Sequence, residues 1–229
     1  MFLTLILSSF LTFMELNCEN LFDTRHDSLK NDLEFLPDGS YKWTPYRYWA
    51  KLNHLGQEIV AQSNPIPDFV AMCEVENDSV MFDLTRRSLL RNAGYEYVMT
   101  SSPDERGIDV ALLYQPASFA LLHSHSIRIK SLPDTRPTRD ILYASGLIIT
   151  GDTLHVFVVH APSRRGGELA SRPYRLHVAS QLAEAVDSVY AISRDAKIII
   201  AGDFNDYADS PALKRLYQHH LINISHDAQ

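Results

Sequence analysis

With 229 residues, 45% of them apolar and 21% charged, the chain is long enough for one large domain with its own core. Its composition is too ordinary for a disordered or polytopic membrane protein. A formal net charge of −7 argues against a broad, sequence-independent grip on a polyanion, which needs a basic stripe.

The opening Met1 to Phe13 contains an apolar stretch like a secretory core region, but it has no basic leader and no clear small-residue cleavage site. It reads equally as a first strand. The stretch is too short and interrupted to span a membrane, so stable insertion is not expected, and cytoplasmic and exported locations both stay open. Phe10 to Leu16 leads into Asn17. A helix is expected from about Pro45 to Gln62, with Thr44 as N-cap, proline at the first helical position, and Trp49, Leu52, Leu55, Ile59 and Val60 on one side. Phe69 to Cys73 is the next apolar run and closes on Glu74; a second helix follows Asp78 and stops before Gly94. Strands are expected at Tyr95 to Met99, Val110 to Tyr114, Phe119 to Leu122 and Gly146 to Thr150. Gly151-Asp152 suits a tight turn into a strand that ends on His160. A third helix spans about Pro173 to Ile192, capped near Ser171 or Arg172. The run Ile198 to Ala201 then delivers Gly202-Asp203-Phe204-Asn205-Asp206. No repeat or flexible linker divides the chain, so residues 1–229 read as one domain. The mixed order of strands and helices favours a sheet-rich α/β sandwich with outer helices over a doubly wound fold.

Four apolar runs thus stop on polar residues: Asn17, Glu74, His160, and the pair Asp203 and Asn205. Runs this short read as buried strands. In layered α/β folds ligands gather beyond the carboxyl ends of strands, so these residues can meet although far apart in sequence. Asn17 and Glu74 offer a carbonyl oxygen and a carboxylate, hard ligands that suit Mg²⁺ or Mn²⁺ rather than zinc. Taken singly, each has a plainer reading, as a turn residue and a surface charge. Asp203 and Asn205 lie two apart on an extended chain and share a face. Asp203 suits orienting or deprotonating a water and Asn205 donating to developing negative charge; an Asx-turn is the simpler alternative. His160 precedes Ala161-Pro162, so its backbone leaves the sheet at once and its side chain can donate to a phosphate. His123, His125, His219 and His220 follow no buried run and are weaker candidates. Arg106 can hold a phosphate oxygen by its planar fork. Arg136 and Arg139 in one loop, and Arg164, Arg165, Arg172 and Arg175 in another, are as consistent with a solvated face as with phosphate contacts. Cys18 and Cys73 each neighbour a proposed ligand and so point to the opposite face of their strands. They read as small buried thiols rather than a disulfide.

Taken in order, Asn17-Cys18-Glu19-Asn20-Leu21-Phe22-Asp23, Cys73-Glu74-Val75-Glu76-Asn77, Val159-His160-Ala161-Pro162-Ser163-Arg164 and Gly202-Asp203-Phe204-Asn205 resemble the endonuclease/exonuclease/phosphatase superfamily. This is the deoxyribonuclease I-like fold of metal-dependent phosphodiesterases and phosphomonoesterases. The resemblance runs from roughly Phe13 to Pro211 and implies a four-layer α/β/β/α sandwich with the site at the top of two packed sheets. It implies that Asn17 and Glu74 hold Mg²⁺ (or Mn²⁺), that His160 contacts the scissile phosphate, and that Asp203 and Asn205 position water and transition state; beside it, Arg106 and Arg164 are read from their own chemistry as phosphate-binding residues. The reaction implied is in-line attack of metal-assisted water on phosphorus. The substrate is a phosphate ester, nucleic acid among the options, with the acidic balance favouring small or single-ended esters. One departure stands out. The superfamily pattern continues with a Ser-Asp-His segment beyond the strand carrying Asp203, whereas Ser225-His226-Asp227 has its letters in another order and arrives too early. A truncated domain with an incomplete second sheet, an open sheet edge and impaired activity is therefore expected. The alternative is a noncatalytic metal- or phosphate-binding fragment that needs a partner to complete the fold.

Overall fold

The structure, a computed structural model, describes residues 10–224 apart from residues 63, 134 and 166. Most of the leader-like stretch and Ser225-His226-Asp227 therefore lie outside the described residues. Among the described residues, eight strands form two four-stranded sheets. The first has β1 (Phe13–Leu21), β2 (Phe69–Val75), β4 (Asp109–Tyr114) and β3 (Glu96–Met99) in that spatial order. The second follows chain order: β5 (Phe119–Ile127), β6 (Ile141–Ile148), β7 (Thr153–His160) and β8 (Lys197–Asp203). β8 is an edge strand of the second sheet, and its one paired neighbour among the described residues is β7.

Alternation along the strands builds three apolar layers. Phe69, Ala71 and Cys73 of β2 face Leu142 and Ala144 of β6 and Val156 and Val158 of β7, forming the core between the sheets. Val70, Met72 and Val75 face the other way, onto Leu52 and Ile59 of α1 (Pro45–Ala61) and Val80 and Leu84 of α2 (Asp78–Arg86). Phe157 and Val159 face Leu182 and Val186 of α3 (Glu168–Ile192) and Leu216 of α4 (Pro211–Tyr217). The result is the four-layer α/β/β/α sandwich. The two cysteines lie on opposite sides of the first sheet, Cys18 in its outer core and Cys73 between the sheets.

Several elements depart from the sequence reading for local reasons. α1 begins as expected, with the Thr44 side chain accepting from the Arg47 amide, but Tyr48 takes the buried place and Val60 is 44% exposed. β6 starts at Ile141, five residues before the expected position, and β5 runs on through His123 and His125. Both extensions are held by antiparallel pairing of Ile127 with Ile141, which composition alone does not reveal. α3 starts at Glu168, so Arg172 and Arg175 are helical rather than in a loop, and Pro173 sits inside the helix. Side chains offset the ring's disruption of the first turn: Ser171 Oγ donates to the Gly167 carbonyl at 2.8 Å, and Arg175 donates to Ser171 Oγ at 2.6 Å. Arg175 is buried and paired with Asp206 at 2.9 Å; it is a structural ion pair, not a phosphate contact. No helix among the described residues is long and apolar enough to cross a membrane.

Candidate active site

β1 and β2 run parallel with Asn17 opposite Cys73, and β7 and β8 run parallel with His160 opposite Asp203. Each pair delivers its polar residues at one end, and the packed sheets bring those ends together. Across the seam Asn17 Nδ2 donates to Asp203 Oδ2 at 3.1 Å, a contact between residues 186 positions apart.

Glu74 drops out of the β2–β4 register between Cys73 and Val75, and its φ of 63° lies in the left-handed region. That conformation is uncommon and costly for a residue with a side chain, and such strain concentrates at functional sites. Glu19, Asn20 and Asn205 share it, at φ 51°, 63° and 49°. The Glu74 carboxylate accepts from the Asn20 amide at 2.8 Å, and its other oxygen lies 3.7 Å from His160 Nε2. Asp203 Oδ1 accepts from the Asn205 amide at 2.7 Å, so the Asx-turn is present, and it sets the direction of both side chains. Asn205 Nδ2 in turn donates to the Ala161 carbonyl at 3.1 Å. Gly202 makes the approach possible: at its φ of 126° an added Cβ would lie 1.9 Å from the Val159 carbonyl oxygen.

His160 is 3% exposed. Burial first, then the charges of Arg139 and Arg106, push its imidazole down to about 2. The ring is therefore neutral and offers an N–H, not a full charge. Its Nδ1 has no hydrogen-bond partner among the described residues.

No three His, Cys, Asp or Glu side chains among the described residues gather into a metal cage. The donors present are the Glu74 carboxylate, the Asn17 amide oxygen, which accepts from the Glu19 amide at 2.9 Å, and the Asp203 carboxylate. An all-oxygen set with few protein ligands fits a hard cation that keeps most of its water, and does not fit zinc. Asn17 and Glu74 also line a cavity of about 470 Å³ with Trp43 and Lys51.

Asn17, Glu74, His160, Asp203 and Asn205 thus form one cluster. Arg106 stands at its margin, 47% exposed and 3.9 Å from Asp104. Arg164 instead lays its guanidinium over the Tyr207 ring, 4.5 Å from the centroid. Arg139, which the sequence left open between a solvated face and a phosphate contact, is not on a solvated face. It is 7% exposed, donates to Asp104 at 3.3 Å, and shares the Ala161 carbonyl with Asn205 at 2.8 Å. A signal existed: β6 is antiparallel to β7, so residues just before β6 reach the same end of the sheet as residues closing β7. Glu76 was passed over. It is buried and accepts from the Asp23 amide at 2.6 Å, pinning the chain that leaves β1.

A model of the Endonuclease/Exonuclease/phosphatase family matches residues 12–222. No curated protein matches by sequence. Among solved structures, the human nocturnin catalytic domain with bound sulfate is similar, with TM-score 0.62 and 19% identity over 89% of this chain and 68% of that one. So is the mannosyl-6-phosphatase of Bacteroides thetaiotaomicron, with TM-score 0.64 and 16% identity over 91% and 70%. TDP2 of D. rerio with a single-strand DNA product gives 0.56 and 18% over 94% and 66%. In this last case the chain spans just under two thirds of the relative's length.

Proposed function

The chain belongs to the Endonuclease/Exonuclease/phosphatase family, and so to the phosphoester hydrolases; on that premise we propose that it cleaves a phosphate ester by metal-assisted attack of water on phosphorus. The observation that carries the proposal is the junction at the seam, where Asn17 meets Asp203 and Glu74 lies 3.7 Å from His160. Mg²⁺ or Mn²⁺ bound through Glu74 and Asn17 would stabilise charge on the phosphoryl oxygens. Asp203, fixed from two sides by Asn17 and the Asn205 amide, is the group that orients the attacking water and takes its proton. Neutral His160 donates a hydrogen bond to a phosphoryl oxygen, a contact that strengthens as charge develops in the low-dielectric site. Asn205 and Arg139 hold the Ala161 carbonyl and so fix the turn that follows His160. Arg106 adds a cation at the margin and Arg164 one in the adjoining loop, both phosphate-binding in this reading.

The test is turnover of p-nitrophenyl phosphate and bis(p-nitrophenyl) phosphate in Mg²⁺ and in EDTA. Magnesium-dependent turnover is expected, reduced about 10²–10³-fold in His160→Ala and Asp203→Asn. Glu74→Gln is expected to weaken Mg²⁺ binding measured by calorimetry. Turnover that survives all three substitutions rejects the proposal. Mg²⁺ binding without turnover of any ester would favour the noncatalytic reading.

A further inference from the structure

Beside the cluster, on the α3 side, lies a second cavity of about 560 Å³. Its lining includes Arg106, Lys130, Arg136, Arg139 and Arg165, five cations against the carboxylates of Asp104 and Glu105. Those carboxylates are already engaged: Asp104 with Arg139 at 3.3 Å and Arg106 at 3.9 Å, Glu105 with Arg136 at 3.5 Å. Lys130 and Arg165 have no carboxylate partner among the described residues. The cavity adjoins the centre at Arg139, which lines it and also donates to the Ala161 carbonyl next to His160.

The inner wall is built rather than incidental. Arg139 is 7% exposed, and its Nε has no hydrogen-bond partner among the described residues; nor does Oγ1 of neighbouring Thr138, which also lines the cavity. A buried guanidinium N–H without an acceptor is costly, and a planar fork matches an oxyanion. In a chain of net charge −7, such a local excess of cations is set against the overall charge.

We propose that this cavity is a specificity pocket for a second anionic group, a phosphate or carboxylate carried by the part of the ester that does not react. The inference rests on the phosphoester reading for what occupies the centre, but the pocket can be tested by binding alone. The substrate class is then a small ester with two separated anionic groups.

The probes are methylphosphonate, a series of alkane-1,n-bisphosphonates, and the matching phosphono-carboxylates, titrated calorimetrically in Mg²⁺ into the full chain and into Arg136→Gln/Arg165→Gln. Neither of those arginines belongs to the central cluster, so turnover of p-nitrophenyl phosphate should be unchanged in the double variant. The best two-anion probe is expected to bind at least about tenfold more tightly than methylphosphonate, the scale of one charge-assisted hydrogen bond, and the double variant should lose that advantage. Whether bisphosphonates or phosphono-carboxylates gain more identifies the second group. Equal binding of one- and two-anion probes overturns the pocket, and so does an advantage that the double variant keeps. Failure of the hydrolase reading would appear separately, as absent turnover with the binding difference intact.

Discussion

Glu76 shows how a single residue near the centre ties the fold to pH. Burial, followed by the charges of Asp23, Asp32 and Asp27 and opposed by the Asp23 amide, raises its carboxyl from 4.5 to about 8. Its folded-state pKa therefore lies above the unfolded one. Between roughly pH 4.5 and 8 the native chain holds the extra proton, so this group's contribution is complete below that window and is lost as pH rises through it. Glu76→Gln cannot ionise and keeps an oxygen for the Asp23 amide. In EDTA, urea midpoints at pH 5.5 and 8.5 should differ less for the variant than for the wild type; an unchanged difference would place the titrating group elsewhere. The five residues of the central cluster were legible from sequence because each follows a short apolar run. Arg139 could be named but not placed, because its signal lies at the start of an antiparallel strand, and that direction is a property of pairing rather than of composition.

At the scale of elements, the β7–β8 pair carries the most demanding local geometry. Gly202 lies opposite Val159 in the parallel register, one residue before Asp203, with its φ at 126°. A methyl group there would meet the Val159 carbonyl at 1.9 Å, and the conformation itself is strained for any L side chain. Gly202→Ala must therefore push the two strands apart where His160 and Asp203 face each other. It should lower stability by more than the ~1 kcal/mol of an ordinary glycine-to-alanine conflict, read as a fall in urea midpoint, and should reduce turnover in whatever fraction stays folded. A midpoint within error of the wild type would contradict the geometry. The same pair illustrates what could be read beforehand. The apolar run Ile198 to Ala201 specified a strand, but β8 continues through Gly202 to Asp203, held by pairing with β7. The start of α3 was misplaced because Pro173 reads as a helix boundary; the turn before it is held by Ser171 and Arg175 side chains, which no helix propensity anticipates.

For the molecule as a whole, the centre is a property of how the two sheets dock. Asn17 and Glu74 belong to the first sheet, His160 and Asp203 to the second, and the packing that sets their separation is the inter-sheet core of Phe69, Ala71, Leu142 and Val158. The outer core beneath α3 stabilises the second sheet without fixing its position against the first. Leu142 and Leu182 allow a matched comparison, since both are buried leucines, one in each layer. Leu142→Ala and Leu182→Ala should each cost about 2–5 kcal/mol. Loosening the seam lets the halves of the centre drift, and misplacement on the order of 1 Å can cost about 10²-fold in rate. At a temperature where both variants are fully folded, Leu142→Ala should therefore lose much more kcat/KM than Leu182→Ala for a similar loss of stability. Equal losses of activity would mean that the seam does not set the centre's geometry, and that stability alone governs it.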